Sequence, residues 1–183
     1  MPKIDRLRRV LTLCQAFARN LAYYRVGWRA EYRHVSDYSK NPRSANFWRV
    51  GNGNFIDKAV LEWCKLFADK KGKHSWEKIV TAPNAFKAAL LCHLELDDAA
   101  FAAVVESMVC YRDKFLAHLD SDYVMNIPKL DTPLKVVEFY YSWVIEREAM
   151  QGELASFDPE LGVLYRAFEK EAETAYALVE KRP

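Results

Sequence analysis

Apolar residues recur three and four positions apart through most of this chain, and no stretch alternates as a half-buried strand must. A chain patterned this way buries its apolar stripes by packing helix on helix. No internal repeat points to a stacked array. The pattern therefore predicts an all-α bundle of about five to seven helices, folded as one domain over residues 1–183. Of the 183 residues, 51% are hydrophobic, enough to fill a core without metal or disulfide support.

The first stripe, Ile4, Leu7, Leu11, Cys14, Ala18, Leu21 and Ala22, predicts an amphipathic helix over residues 4–24. It can extend to His34, although Gly27 weakens that continuation. Residues 35–44 read as a loop. A second helix is clearest over residues 55–67. Gly51-Asn52-Gly53-Asn54, just before it, looks too permissive for a helix interior, and it lacks the lysine, spacing and preceding strand of a phosphate-cradling loop. Residues 69–74 form a basic turn, with Ser75 capping a short element from Trp76. Pro83 suits the first position of a helix running to Leu94, and Asp97 caps the long helix that follows. Thr132-Pro133 opens another helix that fades near Gly152, and Asp158-Pro159 opens the last.

Charge is placed unevenly. Residues 1–50 hold 11 Lys/Arg against 3 Asp/Glu, and residues 131–183 hold 6 against 11, although the whole chain carries only +2. A basic segment of this kind attracts phosphates, or docks on the chain's own acidic half or on another copy's. Tyr23, Tyr24, Trp28, Tyr32 and Tyr38, interleaved with Arg25, Arg29 and Arg33, are suited either to stacking bases or to packing helices. Cys14, Cys64, Cys92 and Cys110 all lie in apolar helical surroundings, with no CxxC spacing, and read as buried thiols in a reducing compartment. No signal-peptide apolar region opens the sequence and no run is long enough to span a membrane, so a soluble, cytoplasmic protein without a membrane partner is expected. His93 reads as a hydrogen-bonded core residue, and His34 and His74 as solvated. His93-Leu94-Glu95 is not followed by the PCxxC of a zinc deaminase, and no repeated Glu-x-x-His supplies a di-metal bundle. Neither metal nor cofactor is expected.

The residues that stand apart are Arg112, Asp113 and His118. Phe101, Val104, Val105, Met108, Val109, Phe115, Leu116 and Leu119 form a broad apolar stripe on the long helix, and Arg112 falls in its middle. A guanidinium keeps its proton, so one directed among apolar neighbours needs an anion, a carboxylate or a subunit interface. His118, six residues on, is a proton carrier near neutral pH. At about 100° per residue the two side chains stand about 120° apart on a straight helix and do not converge within one chain. Two such helices meeting across a twofold axis bring both pairs into one cleft. The bland alternative is a structural arginine paired with Asp113, Asp120 or a glutamate from another helix, beside a histidine favoured by the helix dipole.

Arg112-Asp113-Lys114-Phe115-Leu116-Ala117-His118 resembles the signature of the HEPN superfamily: an arginine, then a polar residue, then a histidine after four to six intervening positions, here five. The wording Leu-Ala-His-Leu-Asp is most similar to the abortive-infection branch. A weaker echo lies in Ile56-Asp57-Lys58, Leu61-Glu62-Trp63-Cys64-Lys65-Leu66-Phe67 and His74-Ser75-Trp76, so the likeness covers the middle of the chain. The resemblance implies a HEPN-like helical bundle that forms a homodimer and acts as a metal-independent endoribonuclease, in phage defence or in a toxin–antitoxin pair with an antitoxin or regulatory partner. It implies Arg112 and His118 as catalytic residues with Asp113 in support. Family members silenced through a tyrosine carry it two residues after the histidine, where this chain has Asp120; Tyr123 lies five residues on, and that regulation is not expected here. The alternative function is a non-catalytic helical module that binds protein or RNA.

Overall fold

The computed structural model describes residues 3–117 and 127–180, and all regular structure among them is helical. In order, it comprises α1 (Lys3–Gly27), a 3-10 helix (Ala30–Ser36), α2 (Ala45–Phe67), α3 (Trp76–Ile79), α4 (Pro83–Leu94), α5 (Asp98–Tyr111), α6 (Asp131–Trp143) and α7 (Leu161–Glu180). Helix α5 continues as a π-helical turn, Arg112–Ala117, and α6 as another, Val144–Glu148. The expected all-α bundle is what forms.

Helix α1 is the spine. It packs along both α2 and α7, and its Leu7, Val10, Leu11, Cys14, Phe17, Ala18 and Leu21 are fully buried. Each large apolar side chain removed from water there contributes about 1.5–3 kcal/mol. Helix α6 closes the core with Val136, Val137, Tyr140 and Tyr141, and Phe86 of α4 meets Tyr140 and Trp143 edge-on at 5.4 and 5.3 Å.

Helix α2 begins at Ala45 and passes without interruption through Gly51-Asn52-Gly53-Asn54, contrary to the reading of that stretch as non-helical. Tertiary packing overrides propensity here. Asn52 is buried, and its carboxamide lies against the Tyr176 hydroxyl of α7. A Cβ on Gly27 would run into both groups, so Gly27 is the place where α1, α2 and α7 can close on one another. The same residue ends α1, and the backbone goes on as the short 3-10 helix, so α1 does not reach His34.

The Asp97 and Pro83 signals perform as expected, whereas the expected Ser75 cap does not form. The Asp97 carboxylate accepts a bond from the Ala100 amide at 2.7 Å and caps α5. Pro83 opens α4, which ends with Glu95 in the left-handed region at φ 55° and the Leu96 amide bonded back to the Leu91 carbonyl at 3.0 Å. Ser75 precedes α3 but its side chain makes no cap bond.

Two expectations need correcting. Cys14 and Cys64 are buried thiols, but Cys92 and Cys110 are exposed. His93 is also exposed, its ring lying 5.0 Å from that of Phe139 rather than inside the core. The reason is common to all three. Helices α4 and α5 bury only a narrow face, Phe86 and Leu90 on one and Phe101, Met108 and Tyr111 on the other, so the remaining apolar-looking positions face outward.

The basic N-terminal third does dock partly on the acidic C-terminal third. Arg25 pairs with Asp131 at 2.6 Å, and Arg29 bridges Glu169 at 2.9 Å and Glu173. No helix is long and apolar enough to cross a membrane among the described residues.

Candidate functional site

Asp57 and Cys64 are seven residues apart and so share one face of α2, and α5 docks on α2. The Tyr111 hydroxyl donates to Asp57 Oδ1 at 2.7 Å. Burial is the main influence on that carboxyl group and raises its pKa, with the tyrosine bond opposing. Immediately after Tyr111 the helix widens into the π turn that starts at Arg112. A π turn accommodates an extra residue, and single turns of this kind in otherwise α-helical segments occur often at functional sites.

Arg112 is held on two sides. Its Nη1 donates to Asp69 Oδ1 at 2.6 Å and its Nε to Asp113 Oδ1 at 2.7 Å. The Arg112 side chain is 23% exposed, whereas those of Asp69 and Asp113 are 42% and 50% exposed. The Asp113 bond and the nearby carboxylates hold the guanidinium firmly in its charged form despite partial burial. The Cys64 thiol lies beside this cluster and is pushed up to about 12, chiefly by burial, with the positive charge of Arg112 working against it. Asp69 Oδ1 is reached across a separation of 43 residues. It stands just past the end of α2, where the Asp69 amide bonds to the Cys64 carbonyl at 2.9 Å.

Of the three residues singled out by sequence, the structure therefore brings Arg112 and Asp113 together. His118 lies outside the described residues, as do Asp120 and Tyr123. The angle expected between Arg112 and His118 assumed a straight α-helix; the π turn between them removes that assumption. Asp69 was not anticipated. Its only signal is that it is the first carboxylate after α2, and nothing local in the sequence pairs it with Arg112.

The outward face of α5 carries Ala99, Ala102, Ala103, Glu106, Ser107 and Cys110, all exposed, with a single charge among them. Val104, Val105 and Val109, which the sequence placed on the inward stripe, are only half-buried. For the mid-chain helix that carries Arg112 at its end, this is an unusually uncharged surface.

A basic groove of about 730 Å³ runs between α1 and the turn after α2, lined by Asp5, Arg8, Arg9, Thr12, Lys65 and His74 among others. His74 is half-buried, not solvated as expected, and its Nδ1 has no partner among the described residues. Burial and the cations Lys73, Arg9, Lys65 and Arg6 lower its pKa. Lys65 in this groove is already paired with the buried Glu62 at 3.1 Å. Among the described residues no cluster of three His, Cys, Asp or Glu side chains forms a metal-ligand set.

The aromatic-basic stripe divides. Tyr23 packs edge-on against Phe55 and Phe168, and Tyr32 lies tilted by 32° against the Tyr176 ring. Trp28 and Tyr38 stay 48% and 46% exposed. No family model, curated protein or solved structure matches the chain.

Proposed function

We propose that this chain is a metal-independent endoribonuclease of HEPN type, acting as a homodimer whose two Arg112–His118 pairs share one cleft. The observation that carries the reading is the placement of Arg112. The motif begins at the end of a helix in an all-helical bundle, with a permanently charged fork oriented by Asp113 and still partly open to solvent. The outer face of α5, with a single charge on it, supports a twofold contact along the helix that leads into the motif. A cytoplasmic role in phage defence or as the toxin of a toxin–antitoxin pair follows from the resemblance.

RNA supplies its own nucleophile in the 2′-hydroxyl. In the proposed reaction His118 takes that proton as the 2′-oxygen attacks the phosphorus, and His118 of the partner subunit protonates the departing 5′-oxygen. Arg112 exchanges Asp69 for two phosphate oxygens and holds the charge that develops on the phosphorane. Asp113 stays on Nε and keeps the fork aimed. The products are a 2′,3′-cyclic phosphate and a 5′-hydroxyl.

The test is RNA cleavage by the purified protein in EDTA, with the ends of the products analysed. His118→Ala should lower the rate by about 10²–10⁴-fold and Arg112→Ala by about 10²–10³-fold. Mixing the two variants should give a heterodimer whose activity matches neither homodimer. A non-catalytic RNA- or protein-binding module is the second reading, favoured by the two carboxylates already on Arg112. Protein that binds RNA without ever cutting it would decide for that module.

A further inference from the structure

We propose that the surface made by the end of α1, the 3-10 helix and the first turns of α2 binds a single-stranded polynucleotide, stacking bases on Trp28, Tyr38 and Phe47 and pairing phosphates with Arg33, Lys40 and Arg43. This surface is separate from the Arg112 cluster. It rests on the RNA reading above only for which nucleic acid is bound.

Three large rings on one soluble surface call for a reason. Phe47 is 71% exposed, Trp28 48% and Tyr38 46%. Each ring is held in place from below or beside. Phe47 meets the edge of Trp48 at 5.5 Å, and Trp48 in turn packs on Tyr176 at 5.1 Å. Trp28 is braced edge-on by Tyr24 at 6.4 Å. The Tyr38 hydroxyl donates to Asn46 Oδ1 at 3.0 Å, and the Arg49 guanidinium lies over its ring at 4.9 Å. Rings fixed in this way lose little further freedom when a base stacks on them.

The hollows around them connect. A groove of about 360 Å³ is lined by Trp28, Arg33, Tyr38 and Arg49, and one of about 810 Å³ by Lys40, Arg43 and Phe47. A shallow hollow of about 600 Å³, lined by Arg33 and Lys40, joins the two. Asp37 lines the two smaller hollows, and among the described residues no carboxylate lines the largest. Arg25 and Arg29, earlier on the same stripe, are neutralised by Asp131, Glu169 and Glu173. Arg33 and Arg43 form no ion pair with a carboxylate among the described residues, Lys40 lies near Asp37, and Arg33 is steadied by its bond to the Trp28 carbonyl at 3.2 Å.

Positive charge alone would suit any polyanion. Rings spaced between cations suit a ligand that presents π faces and regularly placed phosphates together, which a single strand does and an acidic peptide does not. A second copy of this surface would bring its own positive charge and repel.

The experiment uses the full chain carrying His118→Ala, so that cleavage cannot consume the probe, and measures binding of fluorescent oligouridylate in EDTA over a series of salt concentrations. Phe47→Ala should weaken binding about tenfold. Lys40→Ala with Arg43→Ala should reduce the salt slope by about 0.7 for each phosphate that is no longer neutralised. Lys87→Ala on α4 should change neither. The Phe47, Lys40 and Arg43 side chains are exposed, and unchanged melting verifies the fold. Unaltered affinity in the Phe47 and Lys40/Arg43 variants overturns the proposal, as does equal competition by polyglutamate, or a self-association that Phe47→Ala abolishes. Binding lost by these variants in a protein whose unsubstituted form never cleaves RNA upholds this surface while removing the nuclease reading. Cleavage with no loss of binding in the variants does the reverse.

Discussion

Two tyrosines of similar burial have opposite hydrogen-bonding fates, and their hydroxyl groups should behave oppositely on removal. The Tyr140 hydroxyl is buried with no partner among the described residues, and burial pushes its pKa well above the ordinary value. Tyr140→Phe therefore removes a desolvated group that gains nothing, and thermal melting should show no loss or a modest rise in stability. Tyr111→Phe removes the donor to Asp57 and leaves a half-buried carboxylate unpaired there, costing about 1–2 kcal/mol by denaturant titration. His74 gives the pH dependence at this scale. Its folded pKa lies below the unfolded value of 6.5, through burial first and the surrounding cations second. Above 6.5 the ring is neutral in both states and nothing is lost. As pH falls from there toward the folded pKa, the unfolded chain takes up the proton first, so stability declines. His74→Gln should flatten that decline in melts recorded across the same window.

Among the elements, the two π turns do different work. The one ending α6 places Glu148 in the interior, where it accepts from the Thr81 amide at 3.0 and 3.1 Å, from the Thr81 hydroxyl at 2.6 Å and from the Trp143 indole at 3.2 Å. These donors satisfy one buried carboxylate and tie the loop before α4 to the end of α6. Glu148→Ala should cost about 1–3 kcal/mol by denaturant titration, because it orphans the buried Trp143 indole and cuts the tie to Thr81, whose exposed amide and hydroxyl can turn to water. The junction at Gly27 is steric instead. Gly27→Ala drives a methyl into Asn52 and Tyr176 and should destabilise by about 1–3 kcal/mol, with no effect expected on the secondary structure of the isolated α1 sequence. The periodicity of α1, α4 and α7, the Asp97 cap and the Pro83 start were all readable from local residues. The first ten residues of α2 were not, since Gly51 and Gly53 speak against a helix and only the burial of Asn52 under α7 makes one.

For the molecule as a whole, the open question posed by the fold is what covers the outer face of α5. If the twofold contact of the proposed nuclease lies there, Ala102→Arg should leave the melting temperature of the protomer unchanged while converting the dimer to monomer by analytical ultracentrifugation, with RNA cleavage lost alongside. The charge asymmetry also acts at this scale. Part of it is internal, since Arg25 and Arg29 clamp α1 and its extension to α6 and α7; Arg8 and Arg9 line the groove beside α1, and Arg33, Lys40 and Arg43 lie on the face between the 3-10 helix and α2.

By itself the sequence determined the helical class, most element boundaries outside the glycine-rich start of α2, and the singling-out of Arg112, because these follow from spacing along a single helix and from the fixed charge of a guanidinium. Only the tertiary structure decided that Asp69 shares Arg112 with Asp113, that Cys92, Cys110 and His93 face outward, and which cations of the basic third are neutralised. Those outcomes depend on which faces meet across distant parts of the chain. Apolar periodicity reports that a face is buried; it carries no information about its partner.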